Sequence, residues 1–166
     1  MTGSAPALDK ALERRPVRYT QSRMPGYQKL LVVLDLSDDS EHVLIAGRDL
    51  AAYSKATITA LHVVEFVPVE PMGESLMPTV QIEEQLVRRS HAKLTELAAR
   101  LGLEGATLRV EAGNIKAEIL RVAEEEGADL IVLGSRERHG LAILVNFTED
   151  TVLHAAHCDV LAVRLR

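Results

Sequence analysis

Cysteine is nearly absent from this 166-residue sequence. Cys158 stands alone, so neither an intrachain disulfide nor a thiolate metal cluster can form, and a reducing cytoplasm suits the chain. Tryptophan is missing and aromatics make up 3% of residues, a poor supply for the stacking platforms that hold single-stranded nucleic acid. Long apolar runs are missing too. Leu30 to Leu34 is five residues long and none is longer, against the roughly 20 that span a bilayer. No membrane span is expected, and basic residues near the N-terminus with no apolar block behind them do not read as a secretory signal.

The usual catalytic signatures are also lacking. There is no His-Glu-x-x-His for a zinc hydrolase and no Gly-x-Ser-x-Gly nucleophile elbow. The six histidines are scattered over different elements. His154 and His157 are three apart on one predicted helix, and without a third ligand they read as exposed helix residues rather than a metal site. Asp159 beside Cys158 would raise, not lower, the thiol pKa, which suits a small buried residue better than a nucleophile. Asp35, Asp38 and Asp39 resemble a phosphoacceptor cluster, but Gly134-Ser135-Arg136 does not supply the lysine that should follow the fourth strand.

What is present is the balance of one globular domain: 47% hydrophobic and 26% charged residues. The net charge of −5 is uneven. Residues 1–26 carry five basic and two acidic side chains, a net +3, which leaves −8 for the rest. A body this acidic argues against a nucleic-acid groove. Pro6, Pro16 and Pro25-Gly26 interrupt the first 26 residues, and Lys10 to Arg15 offers a helical turn or two with no face able to bury itself. The expectation is a flexible basic extension over 1–26, or an arm that binds a protein partner, ahead of an α/β domain over 27–166.

From Tyr27 the pattern alternates. Leu30 to Asp35 reads as a strand buried on both faces. The Asp38 and Glu41 spacing predicts a capping box opening a helix with Val43, Gly47, Leu50 and Ala51 on one face. Thr57 to Val64 is a second strand. A proline-rich loop over 65–78 leads to a long helix, Thr79 to Leu101, with Ile82, Leu86, Leu94, Leu97 and Ala98 near one face. Leu108 to Ala112 is a third strand, Asn114 to Gly127 brackets a helix, and Leu130 to Leu133 is a fourth strand ending at Gly134. A helix from about Asn146 to Ala156 and a last strand, Val160 to Leu165, complete it. Strict alternation predicts an α/β fold: a five-stranded, mostly parallel, doubly wound, Rossmann-like sheet with helices on both faces. In such sheets ligands sit beyond the carboxyl ends of the strands. That directs attention to Asp35-Leu36-Ser37, Val63-Val64, Gly113 and the segment Gly134 to Gly140.

These segments resemble the universal stress protein family over residues 28–166. The resemblance rests on Lys29 to Ser37, on Leu61-His62-Val63-Val64, on Ala128 to Ser135 and on the ending His157 to Arg166. Family members that bind ATP carry G-x2-G-x9-G-S/T after the fourth strand. On this sequence the positions fall on Gly134, Glu137, Phe147 and Thr148, so two motif glycines are replaced while Gly140 lies between. Glu137 sets a carboxylate where a phosphate would lie, and like charges about 4 Å apart repel by about 1 kcal/mol even in water. Phe147 sets a ring where backbone should approach. The His157-Cys158-Asp159 ending resembles the universal stress protein A branch, whose members generally lack the motif.

The resemblance implies two readings. In one, the chain is a non-enzymatic, cytoplasmic, homodimeric stress-response protein with no cofactor, acting by binding or signalling. In the other it is a nucleotide-dependent switch that takes ATP or AMP with Mg, with slow hydrolysis, through a cleft of Asp35, Val63, Gly134, Ser135, Gly140 and Thr148. Asp35 matches the acid on the adenine or ribose side of binding relatives, though a strand-end acid capping the next helix is an equal reading. Val63 aligns with the residue flanking adenine and reads as core. The apolar Val160 to Leu165, a sheet edge, is the expected homodimer contact in either case.

Overall fold

Runs of branched apolar residues form the centre of this fold because both faces of each inner strand are covered. The structure, a computed structural model, describes residues 26–65, 79–136 and 148–165. In chain order the elements are β1 (Lys29–Leu34), α1 (Ser40–Ser54), β2 (Thr57–Val64), α2 (Thr79–Arg100), β3 (Thr107–Ala112), α3 (Ile115–Glu126), β4 (Leu130–Arg136), α4 (Thr148–Ala155) and β5 (Asp159–Leu165). The strands lie in the order β3-β2-β1-β4-β5 and every neighbouring pair is parallel. The expected α/β architecture is therefore observed. Most of the basic extension, the loop of 66–78, and Glu137, Gly140 and Phe147 lie outside the described residues.

The period of two along each strand divides the core. Leu30, Val32, Leu34, Ile58, Ala60, Leu130 and Val132 face α1 and α2, meeting Val43, Leu44, Leu94 and Leu97. Leu31, Leu61, Val63, Ile131 and Leu133 face the other way, against Ile119, Val122 and Val152 of α3 and α4. Gly47 brings α1 close to β1: a Cβ there would stand 2.6 Å from Val32 Cγ2. At α3 the local signals act as read. Asn114 caps the start by accepting from the Ala117 amide at 3.1 Å. Gly127 ends it in the left-handed region, its N–H on the carbonyls of Ala123 and Glu124.

Four local expectations need correction. The capping box is not made: Asp39 occupies the N-cap of α1 with no side-chain cap bond. β4 does not end at Gly134. Pairing with β5 carries it through Ser135↔Arg164 to Arg136↔Leu165, so Gly134 and Ser135 are strand residues. α4 ends at Ala155, which leaves His157 in the following turn and breaks up the supposed helical pair. Finally, Ile82 and Leu86 do not reach the core. They are 50% and 39% exposed, because a helix of 22 residues is about 33 Å long and overhangs strands of roughly 20–26 Å.

Candidate functional site

The chain leaves β1 toward β2 on one side and later returns to β4 on the other. The carboxyl ends of β1 and β4 are thus the switch point of the sheet, where a crevice opens between diverging loops. Asp35 stands at its mouth. Its Oδ1 accepts from the Ser37 amide at 3.0 Å, the Ser37 hydroxyl at 2.6 Å and the Ser40 hydroxyl at 2.8 Å. This clasp, not a capping box, organises the entry to α1; Ser40 is buried by it. Between Asp35 and Ser37 the backbone of Leu36 is left-handed, with φ +56°, a conformation that costs a branched-chain residue energy unless its surroundings hold it. Here the Leu36 side chain packs on the α1–α2 core.

The other expected residues have defined places. Gly134 faces α1: a Cβ added to it would lie 2.8 Å from Leu165 Cδ1 and 3.2 Å from Val43 Cγ2. Packing alone therefore favours glycine at this position. Ser135 is the next residue of β4, in register with Arg164 of β5. Val63 is buried among the residues under α3 and α4. Thr148 is the first residue of α4. Asp35, Gly134 and Ser135 thus share the switch-point end of β1 and β4, whereas Val63 belongs to the opposite core layer. Gly140 lies outside the described residues.

Two features of this end were missed from sequence, a cleft and a recess, whereas a hydrogen-bonded His62 at its strand end is legible there. A cleft of about 390 Å³ is lined by Leu36, Ser37, Asp38, Glu41, Lys93 and Arg100, with Glu96 beside them. Lys93 and Arg100 are seven apart on α2, two helical turns on one face, which is a readable signal. Arg100 reaches Glu41 of α1 at 3.2 Å. The cleft therefore mixes two cations with three acids and offers no surplus of positive charge to a polyphosphate. A second recess of about 440 Å³ is lined by Asp39, His42, Arg164 and Leu165. His62, at the end of β2, is half-buried with its Nδ1 2.8 Å from the Leu34 carbonyl, a structural bond between strand ends. Among the described residues no group of three or more His, Cys, Asp and Glu side chains could hold a metal, and no helix is long and apolar enough to cross a membrane.

A fully parallel sheet in this order, with a crevice at its switch point, defines a Rossmann-like α/β protein. The model of the Universal stress protein family matches residues 26–164. Universal stress protein A homolog 2 of Coxiella burnetii is 34% identical over 144 residues, 86% of this chain and 99% of that one. The chain belongs to the universal stress protein family. Among solved structures, the universal stress protein UspA from Lactobacillus plantarum superposes with a TM-score of 0.64 at 26% identity, over 83% of this chain and 98% of that one. A universal stress protein solved in complex with cAMP shares the fold, with a TM-score of 0.64 at 23% identity over 83% of this chain and 97% of that one.

Proposed function

We propose that this chain is a homodimeric, non-enzymatic stress-response protein of the cytoplasm that works through protein contacts, with a cleft that binds ATP poorly or not at all. The observation that carries the reading is the state of the glycine motif. Its one retained glycine, Gly134, lies inside β4 against Val43 and Leu165, a packing role that needs no ligand. The other two motif positions hold Glu137 and Phe147, a repelling charge and a bulky ring. Asp35 is turned to its own loop by three hydrogen bonds, and the nearby cleft lined by Lys93 and Arg100 has more acids than bases.

Dimerisation follows from β5. It is an edge strand on which Leu161 and Ala162 are exposed while Val160 and Val163 are partly buried, and such an edge pairs with a second copy through a two-fold contact. Titration calorimetry with ATP and Mg²⁺, AMP and cAMP tests the cleft. No heat with any of the three is the expected result, and binding gained by the Glu137→Gly, Phe147→Gly double variant would identify the obstacle. Micromolar binding of Mg·ATP to the unaltered protein would overturn the reading.

The second reading is a nucleotide-dependent switch using Asp35, Gly134, Ser135, Gly140 and Thr148. It is favoured by one observation, the cAMP held by a protein of the same fold. Nucleotide found on the purified native protein would establish it.

A further inference from the structure

One flank of α2 serves no part of the core. Ile82, Leu86, Arg89 and Lys93 follow one another at helical spacing, within roughly 60° of arc and about 16 Å of helix axis. Leu94 and Ala98 mark the buried face of the same helix, roughly a third of a turn away. All four side chains of the flank are exposed. We propose that this strip docks an acidic amphipathic helix of another protein, whose apolar side chains lie on Ile82 and Leu86 and whose carboxylates meet Arg89 and Lys93. The inference rests on the reading that the chain works through protein contacts, and it gives the partner a chemistry.

Three observations select this occupant. The first is charge. Residues beyond position 26 carry a net −8, yet the eleven residues from Gln85 to Thr95 hold Arg88, Arg89 and Lys93 and no acid. Arg88 pairs with Glu84 at 3.5 Å, whereas among the described residues Arg89 and Lys93 take part in no ion pair. Two uncommitted cations on an acidic protein select carboxylates. The second is the order along the strip. Two apolar side chains one turn apart, then two cations one turn apart, match the i, i+4, i+7 anchors of a helix laid alongside. The third is shape. At Lys93 the strip runs into the cleft whose walls are α2 and the turn from Leu36 to Glu41, with Leu36 and Leu97 in its lining. A slender helix enters such a trough. A flat anionic membrane cannot, and it would face the whole acidic body at once.

The test uses the full-length protein and a fluorescein-labelled peptide about five helical turns long, with leucines along one face and glutamates beside them. Fluorescence anisotropy is expected to give a Kd on the order of 100 µM at low salt, weakening as salt is added. The Arg89→Glu, Lys93→Glu double variant and the Ile82→Ser, Leu86→Ser double variant are each expected to weaken binding about tenfold or more. Arg88→Glu makes the same charge change as Arg89→Glu, about 100° further round the helix, and is expected to change little. Tyr53→Ser, which removes an exposed apolar side chain of α1, is expected to change nothing. Circular dichroism verifies the fold of every variant. No binding of the peptide, equal losses from Arg88→Glu and Arg89→Glu, or equal binding of a peptide with serine for leucine would overturn the proposal. Binding to phosphatidylserine-rich vesicles but not to the peptide would overturn it in favour of a membrane. A drop in sedimenting mass in the Ile82→Ser, Leu86→Ser variant would overturn it in favour of a second copy. Mg·ATP is titrated in parallel: its uptake sinks the protein-contact reading itself, whereas a nucleotide-free protein that ignores the peptide sinks this inference alone.

Discussion

At one edge of the sheet, β3 carries Arg109 and Glu111, with 22% and 24% of their side chains exposed. Both are locked to α3. Arg109 reaches Glu126 at 2.9 Å and Glu125 at 3.2 Å, and Glu111 holds Arg121 at 2.7 Å. At the other edge, β5 leaves Leu161 and Ala162 exposed between the partly buried Val160 and Val163. The two strands have the same direction and similar length and lie the same distance from the centre of the sheet. What differs is the availability of the edge. Ionic side chains tied down across β3 discourage another strand from pairing there, while an apolar edge rewards it. On the proposed homodimer reading, one sheet has an end that closes and an end that joins, and a two-fold pairing at β5 would stop growth at two copies.

The comparison breaks most directly at Leu161. Leu161→Lys puts a charge into the joining edge of both copies at once. It is expected to weaken self-association by about a hundredfold, ~2.8 kcal/mol, shifting the sedimenting mass from twice 18.2 kDa toward 18.2 kDa. An unchanged mass would show that β5 is not the contact. Arg109→Ala comes next. It removes the cation facing Glu126 and one of the two facing Glu111 in a partly buried site and is expected to lower unfolding stability by about 2 kcal/mol with no change in mass. A change in mass without loss of stability would invert the roles assigned to the two edges.

The smallest effect is a pH dependence. Hydrogen bonding to Arg121 and then Arg109 holds the Glu125 carboxyl below its ordinary 4.5. A lowered folded-state pKa means that the stabilisation is complete above about pH 4.5 and is lost as pH falls through the folded value. Glu125→Gln should remove that part of the acid dependence, seen as a shallower fall of melting temperature between neutral and acid pH. An identical slope would take Glu125 out of the network.

Much of this fold is legible in the residues because burial on both faces leaves unbroken apolar strands, as in Leu30 to Leu34, and because Asn114 and Gly127 act locally. Other features depend on partners distant in sequence. Asp38 and Glu41 have capping-box spacing, yet Asp35 organises the turn, since the end of β1 delivers it to Ser37 and Ser40. Gly134-Ser135 looks like a loop and becomes strand only because β5 is there to pair with it. Ile82 and Leu86 continue a helical stripe past the end of the sheet it serves. At the candidate site, the rule that ligands gather at strand ends directs attention to Asp35 and Gly134. The cleft residues Lys93 and Arg100 were missed because α2 comes alongside α1 only in three dimensions. Edge status could be read for β5 but not for β3, whose charges look like any solvated surface until α3 is folded onto them.

Leu36 has one more consequence. Its backbone sits in a left-handed bend at the crevice mouth while its half-buried side chain packs against the α1–α2 core. A molecule that drew the Ser37 amide away from Asp35 would have to unplug Leu36 or let the bend relax around it. Filling the mouth and loosening the interior are thus geared together, and a simple melting curve, recorded with and without a trial compound, reads the state of that gear.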